Sequence, residues 1–125
     1  MADYTLSKTG PQINALHAQQ DWMFARYDNG NQSGALTLDP SKGATQKSTI
    51  TGNITGVTCG LSTTYPYMIW DITTSGNGYT FDATGFVTDG GDSITLPNAG
   101  KARLLFSLDI NGVTKQLYLV ATNMA

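Results

Sequence analysis

The sequence predicts a mainly β protein with one helix near its start, and three observations carry that expectation. Gly, Thr, Ser and Asn are abundant and the apolar residues fall in short runs, a composition of many turns and short strands. Asn111-Gly112 stands between two runs of alternating polarity, Lys101 to Ile110 and Val113 to Thr122, the strongest short-range signal for a hairpin. Only Leu6 to Tyr27 has helical spacing, with Ile13, Leu16, Gln20, Met23 and Tyr27 separated by three, four, three and four positions.

The helix has marked ends. Thr9-Gly10-Pro11-Gln12 fits a capping box, with Thr9 as N-cap, Gln12 reaching back and Pro11 in the first turn. Asp28-Asn29-Gly30 supplies a residue able to take the left-handed conformation at the other end. A seam at a/d spacing needs a partner, and no second helical stretch follows. The expected partner is another copy of the same helix, so Ile13, Leu16, Gln20, Met23 and Tyr27 are candidate oligomerisation residues. Polar Gln20 at an a position can set register and oligomer state. Trp22 and Phe24 fall outside the seam and widen the apolar face. The competing reading is a single amphipathic helix lying on its own β-domain.

The chain of 125 residues is expected to form one domain, or a small domain with an appendage. Residues 1–30 are the tail and oligomerisation or attachment helix, a coiled-coil-like stalk. Residues 31–125 are an antiparallel β-sandwich or jelly-roll-like knob. Asp28 to Gly34 reads as a polar linker. Ala35 to Leu38, Thr45 to Thr51 and Ile54 to Cys59 read as strands. In Tyr65 to Thr73, Met68, Trp70 and Ile72 share one face, and Tyr67, Ile69 and Asp71 share the other. Short strands are expected at Tyr79 to Phe81, Phe86 to Thr88 and Ser93 to Leu96, with a turn at Asp89 to Asp92.

A two-residue turn at Asn111-Gly112 fixes the hairpin register. Phe106 then faces Leu117, Leu104 faces Leu119 and Ala102 faces Ala121, all towards the core. The opposite side pairs Leu105 with Tyr118 and Arg103 with Val120. That side is too apolar for a purely solvated surface and suggests a second covered face, under either another sheet or a neighbouring subunit. For the latter, Leu105 and Tyr118 join the candidate oligomerisation residues.

The formal net charge is −2 and charged residues are 13% of the chain, which argues against a nucleic-acid partner. No apolar run is long enough to span a membrane, and no signal peptide is visible. One cysteine, Cys59, excludes an internal disulfide and reads as a small core residue. His17, the one histidine, lies on the helix without a local Asp or Ser partner. No ligand spacing for a metal appears, no cofactor is expected, and the chain is not expected to be an enzyme. Tyr65, Tyr67 and Tyr79 cluster in sequence near Trp70, and exposed aromatic faces stack on sugars. These three are the candidate ligand-binding residues, for a glycan, with core packing as the competing reading.

Two stretches resemble phage virion proteins. Leu6-Ser7-Lys8-Thr9-Gly10-Pro11-Gln12-Ile13 resembles the opening of phage head-fibre and tail-fibre proteins, where such a run begins a helix leading to a distal β-domain. Gly34 to Gly43, followed by Thr49-Ile50-Thr51-Gly52-Asn53-Ile54-Thr55, resembles a β-domain at the C-terminal ends of phage tail and fibre proteins. A Trp-Pro segment usual in that domain is replaced here by Tyr79-Thr80-Phe81-Asp82. The resemblance implies a virion structural protein made in the host cytoplasm: a homotrimeric head fibre or capsid decoration protein. Its N-terminal segment would contact other capsid or tail proteins. The alternative it implies is a tail-fibre protein whose knob binds a host-surface glycan.

Overall fold

The computed structural model describes residues 20–75, 78–91 and 93–122. Ile13, Leu16 and His17 lie outside them, as does most of the expected helix. Residues 20–24 are helical. Six strands follow: β1 Arg26–Leu38, β2 Thr45–Cys59, β3 Tyr67–Thr74, β4 Val87–Thr88, β5 Gly100–Leu108 and β6 Lys115–Thr122. They form one mixed sheet in the order β1-β2-β3-β5-β6-β4. The mainly β expectation holds, but the antiparallel sandwich does not. β1 with β2, β2 with β3 and β4 with β6 are parallel, and only β3–β5 and β5–β6 are antiparallel.

The parallel pairs have a geometric consequence. β1 has 13 residues, and a straight strand of that length is roughly 43 Å long. Residues 39–44 carry the chain into β2, whose first residue, Thr45, pairs with Arg26 at the start of β1. A link of that length reaches only about 20 Å. β1 therefore cannot be straight: it curls so that its end returns beside its beginning. The curl is visible in the backbone. Register shifts fall between Asp28 and Asn31 and around Gly34, and Gly30 and Gly34 have φ of 74° and 73°, where a side chain would be strained.

β1, β2 and the segment from β3 to Phe81 are thus successive turns of one coil. Thr45 pairs with Ile69 as Arg26 pairs with Thr45. Gly34, Ile54 and Phe81 form a second column, with Ile54 N donating to Thr80 O and Asp82 N to Ile54 O, both at 2.9 Å. A 3-10 turn at Pro40–Lys42 closes the first turn, its N-cap Asp39 accepting from Ser41 N at 3.0 Å. The β5–β6 hairpin then lies antiparallel along β3.

The core fills the coil and the inner face of the hairpin. Met68, Trp70 and Ile72 point inward, as their alternation requires, and meet Leu104, Phe106 and Leu117 from the hairpin. Ile94 and Leu96 are buried too, although no strand forms at Ser93 to Leu96. Buried polar groups link the turns. Gln46 Nε2 donates to Asp39 O at 2.6 Å, and Asn29 Nδ2 donates to Gln46 Oε1 at 3.0 Å.

The helix ends earlier than its sequence signals imply. Tyr27 and Asp28-Asn29-Gly30, expected as its last turn and cap, lie inside β1. Main-chain competition explains the stop. Trp22 O accepts from Ala44 N at 3.0 Å and Ala25 O accepts from Thr45 N at 3.4 Å, so these carbonyls bond to the next turn of the coil.

Candidate functional site

Two surfaces concentrate the chemistry of this chain: the junction between the helical residues and the coil, and the outward face of the sheet. At the junction Trp22 is 5% exposed. Its ring packs against Tyr65 and Tyr67 at centroid distances of 5.3 and 5.2 Å, and its indole N–H donates to Pro40 O. Its neighbours point the other way: Met23 is 49% exposed and Phe24 81%. Tyr27, on β1, carries Lys42 Nζ 4.7 Å above its ring, which covers part of its face. Of the expected seam, Gln20, Met23 and Tyr27 can be placed. Gln20 and Met23 are helical, whereas Tyr27 follows in strand geometry, so helical spacing does not carry through to it.

Tyr65, Tyr67 and Tyr79 do not form one groove. The first two are half-buried against Trp22, and Tyr79 lies beyond the far end of β3, packed on the core. Trp70 is fully buried. Sequence reasoning missed the partnership of Trp22 with Tyr65 and Tyr67, because nothing local links positions so far apart.

The outward face is organised by charge. Register places Asp28 beside Lys47, Lys47 beside Asp71 and Asp71 beside Arg103, an alternating row across β1, β2, β3 and β5. Lys47 Nζ lies 3.6 Å from Asp28 Oδ2. The Arg103 guanidinium binds Asp71 in two places, Nε to Oδ1 at 2.6 Å and Nη2 to Oδ2 at 2.8 Å. That double hydrogen bond holds the Arg103 guanidinium even more firmly charged than usual. Ile69, Leu105 and Tyr118 form the adjacent row, all half-buried.

A shallow groove runs along Thr55, Phe81, Asp82, Thr84 and Phe86. The Thr84 hydroxyl and backbone N–H bond Asp82 and hold its carboxyl below the usual range. Cys59 is fully buried, and burial pushes its thiol up to about 12. Among the described residues no three His, Cys, Asp or Glu side chains converge, and no helix is long and apolar enough to cross a membrane. Comparison with known proteins finds no matching family, curated sequence or solved structure.

Proposed function

We propose that the chain is a non-enzymatic structural protein of a phage particle, a head fibre or capsid decoration protein that assembles as a trimer. The observation that carries this reading is the division of labour at residues 22–24. Trp22 is locked into the β-body, while Met23 and Phe24 stand bare beside it. Adjacent large apolar side chains left in water are characteristic of a surface that another chain covers. In the sequence, Ile13 and Leu16 stand at seam spacing from Met23, and the resemblance of Leu6 to Ile13 to phage fibre proteins points to the same use. In this reading the N-terminal segment attaches to capsid or tail proteins, the helices associate, and the β-body projects outward. Leu105 and Tyr118 offer a second contact between copies.

Labelled antibody against the β-body, imaged on assembled particles, tests the reading. Regularly spaced label on the head is expected; particles that carry none would end it. A tail-fibre role, with the β-body binding a host glycan, is the second reading. The outward sheet face favours it, being hollowed between Arg26 and Lys101 and lined by Asp28, Lys47 and Asp71.

A further inference from the structure

The outward face of the sheet holds an open cavity of about 530 Å³ between Arg26 on β1 and Lys101 on β5. The size falls within the range of small-ligand sites. Its floor carries Lys47, Asp28 and Asp71. Lys47 answers Asp28, and Arg103 answers Asp71. Arg26 and Lys101 are left over: among the described residues no carboxylate lies within ion-pair distance of either. In a chain of net charge −2, two uncompensated cations therefore face one hollow.

Their placement constrains the ligand. Arg26 shares a row with Thr45 and Ile69, while Lys101 faces Thr73 two residues beyond Asp71. Ladder spacing puts their backbones roughly 20 Å apart, a gap both long side chains can shorten. Between them lie groups suited to hydroxyls: the hydroxyls of Thr45 and Thr73, and the remaining lone pairs of Asp28 and Asp71. Cations at the rim select negative charge, and acceptors on the floor select hydroxyl donors. A nucleic-acid strand fits less well, because its repeating phosphates would cross the two carboxylates.

We infer that this face binds an acidic saccharide, whose anionic groups pair with Arg26 and Lys101 and whose hydroxyls meet the ionic floor. The inference rests on the second reading, glycan binding by the β-body, and adds the charge class of that glycan. It is independent of the assembly reading, since the cavity is formed within one chain. Equal binding of the neutral sugar would overturn the charge class while leaving glycan binding itself in place.

Calorimetric titration of the full chain tests it with four probes: a uronic-acid trisaccharide, a sugar phosphate, the neutral trisaccharide and inorganic phosphate. Binding of at least one acidic sugar is expected, with the neutral sugar failing. Arg26→Gln and Lys101→Gln should each weaken it about tenfold, and Arg26→Lys should keep most of it. Rising salt should weaken it as well. Both positions are exposed, so circular dichroism of the variants should be unchanged. The assignment is overturned if neither acidic sugar binds, if the neutral sugar binds equally, or if both Gln variants bind like wild type. Full competition by inorganic phosphate at equal concentration would mean an adventitious ion only. Tighter binding of a single-stranded oligonucleotide would assign the face to nucleic acid instead.

Discussion

Trp70 Nε1 donates to Ser48 Oγ at 2.8 Å, and the same hydroxyl donates to Gln32 Oε1. The three residues sit on β3, β2 and β1, so one short polar chain ties all three turns of the coil together. Ser48 lies nearly in the core and Trp70 wholly so. Ser48→Ala removes the only acceptor shown for the indole N–H and leaves it buried. The expected loss is about 1–3 kcal/mol of stability, read as a lower urea midpoint at unchanged slope. Ser48→Thr, which restores a hydroxyl, should recover part of it.

Gly43 closes the first turn of the coil against its own beginning. A Cβ added there would lie 2.8 Å from Ala25 O, a backbone atom with little room to move. Gly43→Ala should cost about 1–3 kcal/mol, in the manner of other overpacking changes. Gly56, around which an added Cβ would meet nothing, is the control: Gly56→Ala should change stability little. Thermal unfolding of the two variants decides between a closed coil and a looser arrangement.

Cys59 gives a pH-dependent prediction. Burial raises its thiol from 9.0 to about 12 in the folded chain. Below pH 9 both folded and unfolded chains keep the proton, and the contribution of this group to stability is fully present. As pH rises from 9 towards 12 the unfolded chain releases a proton that the folded chain retains, so stability falls. Wild type should therefore lose more stability over this interval than Cys59→Ala. At pH 8 the native thiol should ignore a thiol reagent that modifies it at once in denaturant.

Met23 and Phe24 allow folding and the proposed assembly to be tested separately. Both are exposed at the junction, whereas Trp22 beside them is packed on two tyrosines. Met23→Asp with Phe24→Asp should disperse the oligomer while leaving the β-sheet circular dichroism unchanged, and stability should fall only by the concentration-dependent part that association contributes. Trp22→Ala should do the reverse, costing about 3–5 kcal/mol. Sedimentation and urea titration of the same samples read both effects.

Local signals in this sequence were legible, and long-range ones were not. The hairpin register is an example. Leu105 with Tyr118, Phe106 with Leu117, Leu104 with Leu119 and Leu108 with Lys115 pair as the alternation implies. The loop itself differs: Asp109 N bonds Thr114 O at 2.8 Å, and Asn111 anchors a four-residue turn that leaves Ile110 and Val113 in water. Register survives because one residue is added symmetrically on each side of the turn. It fails only past Leu104, where a bulge shifts Arg103 onto Ala121 and Ala102 onto Thr122.

The coil was hidden for a different reason. The first half of β1 is an edge strand with polar residues on both faces, so Asp28 to Gly34 has no apolar alternation and reads as a linker. Its pairing with β2 depends on where the chain returns after Gly43, which no local period encodes. The same holds for the row Asp28, Lys47, Asp71 and Arg103. Each is unremarkable in its own segment, and only the register of four strands makes them neighbours.

The proposed trimer requires copies of this chain to cover one another's apolar surface at Met23 and Phe24. Light scattering of the full chain at micromolar concentration tests it most directly. A particle of three times the 13.3 kDa of one chain is expected, reduced to one chain by Met23→Asp with Phe24→Asp. A wild-type protein that stays at 13.3 kDa across that range would contradict it.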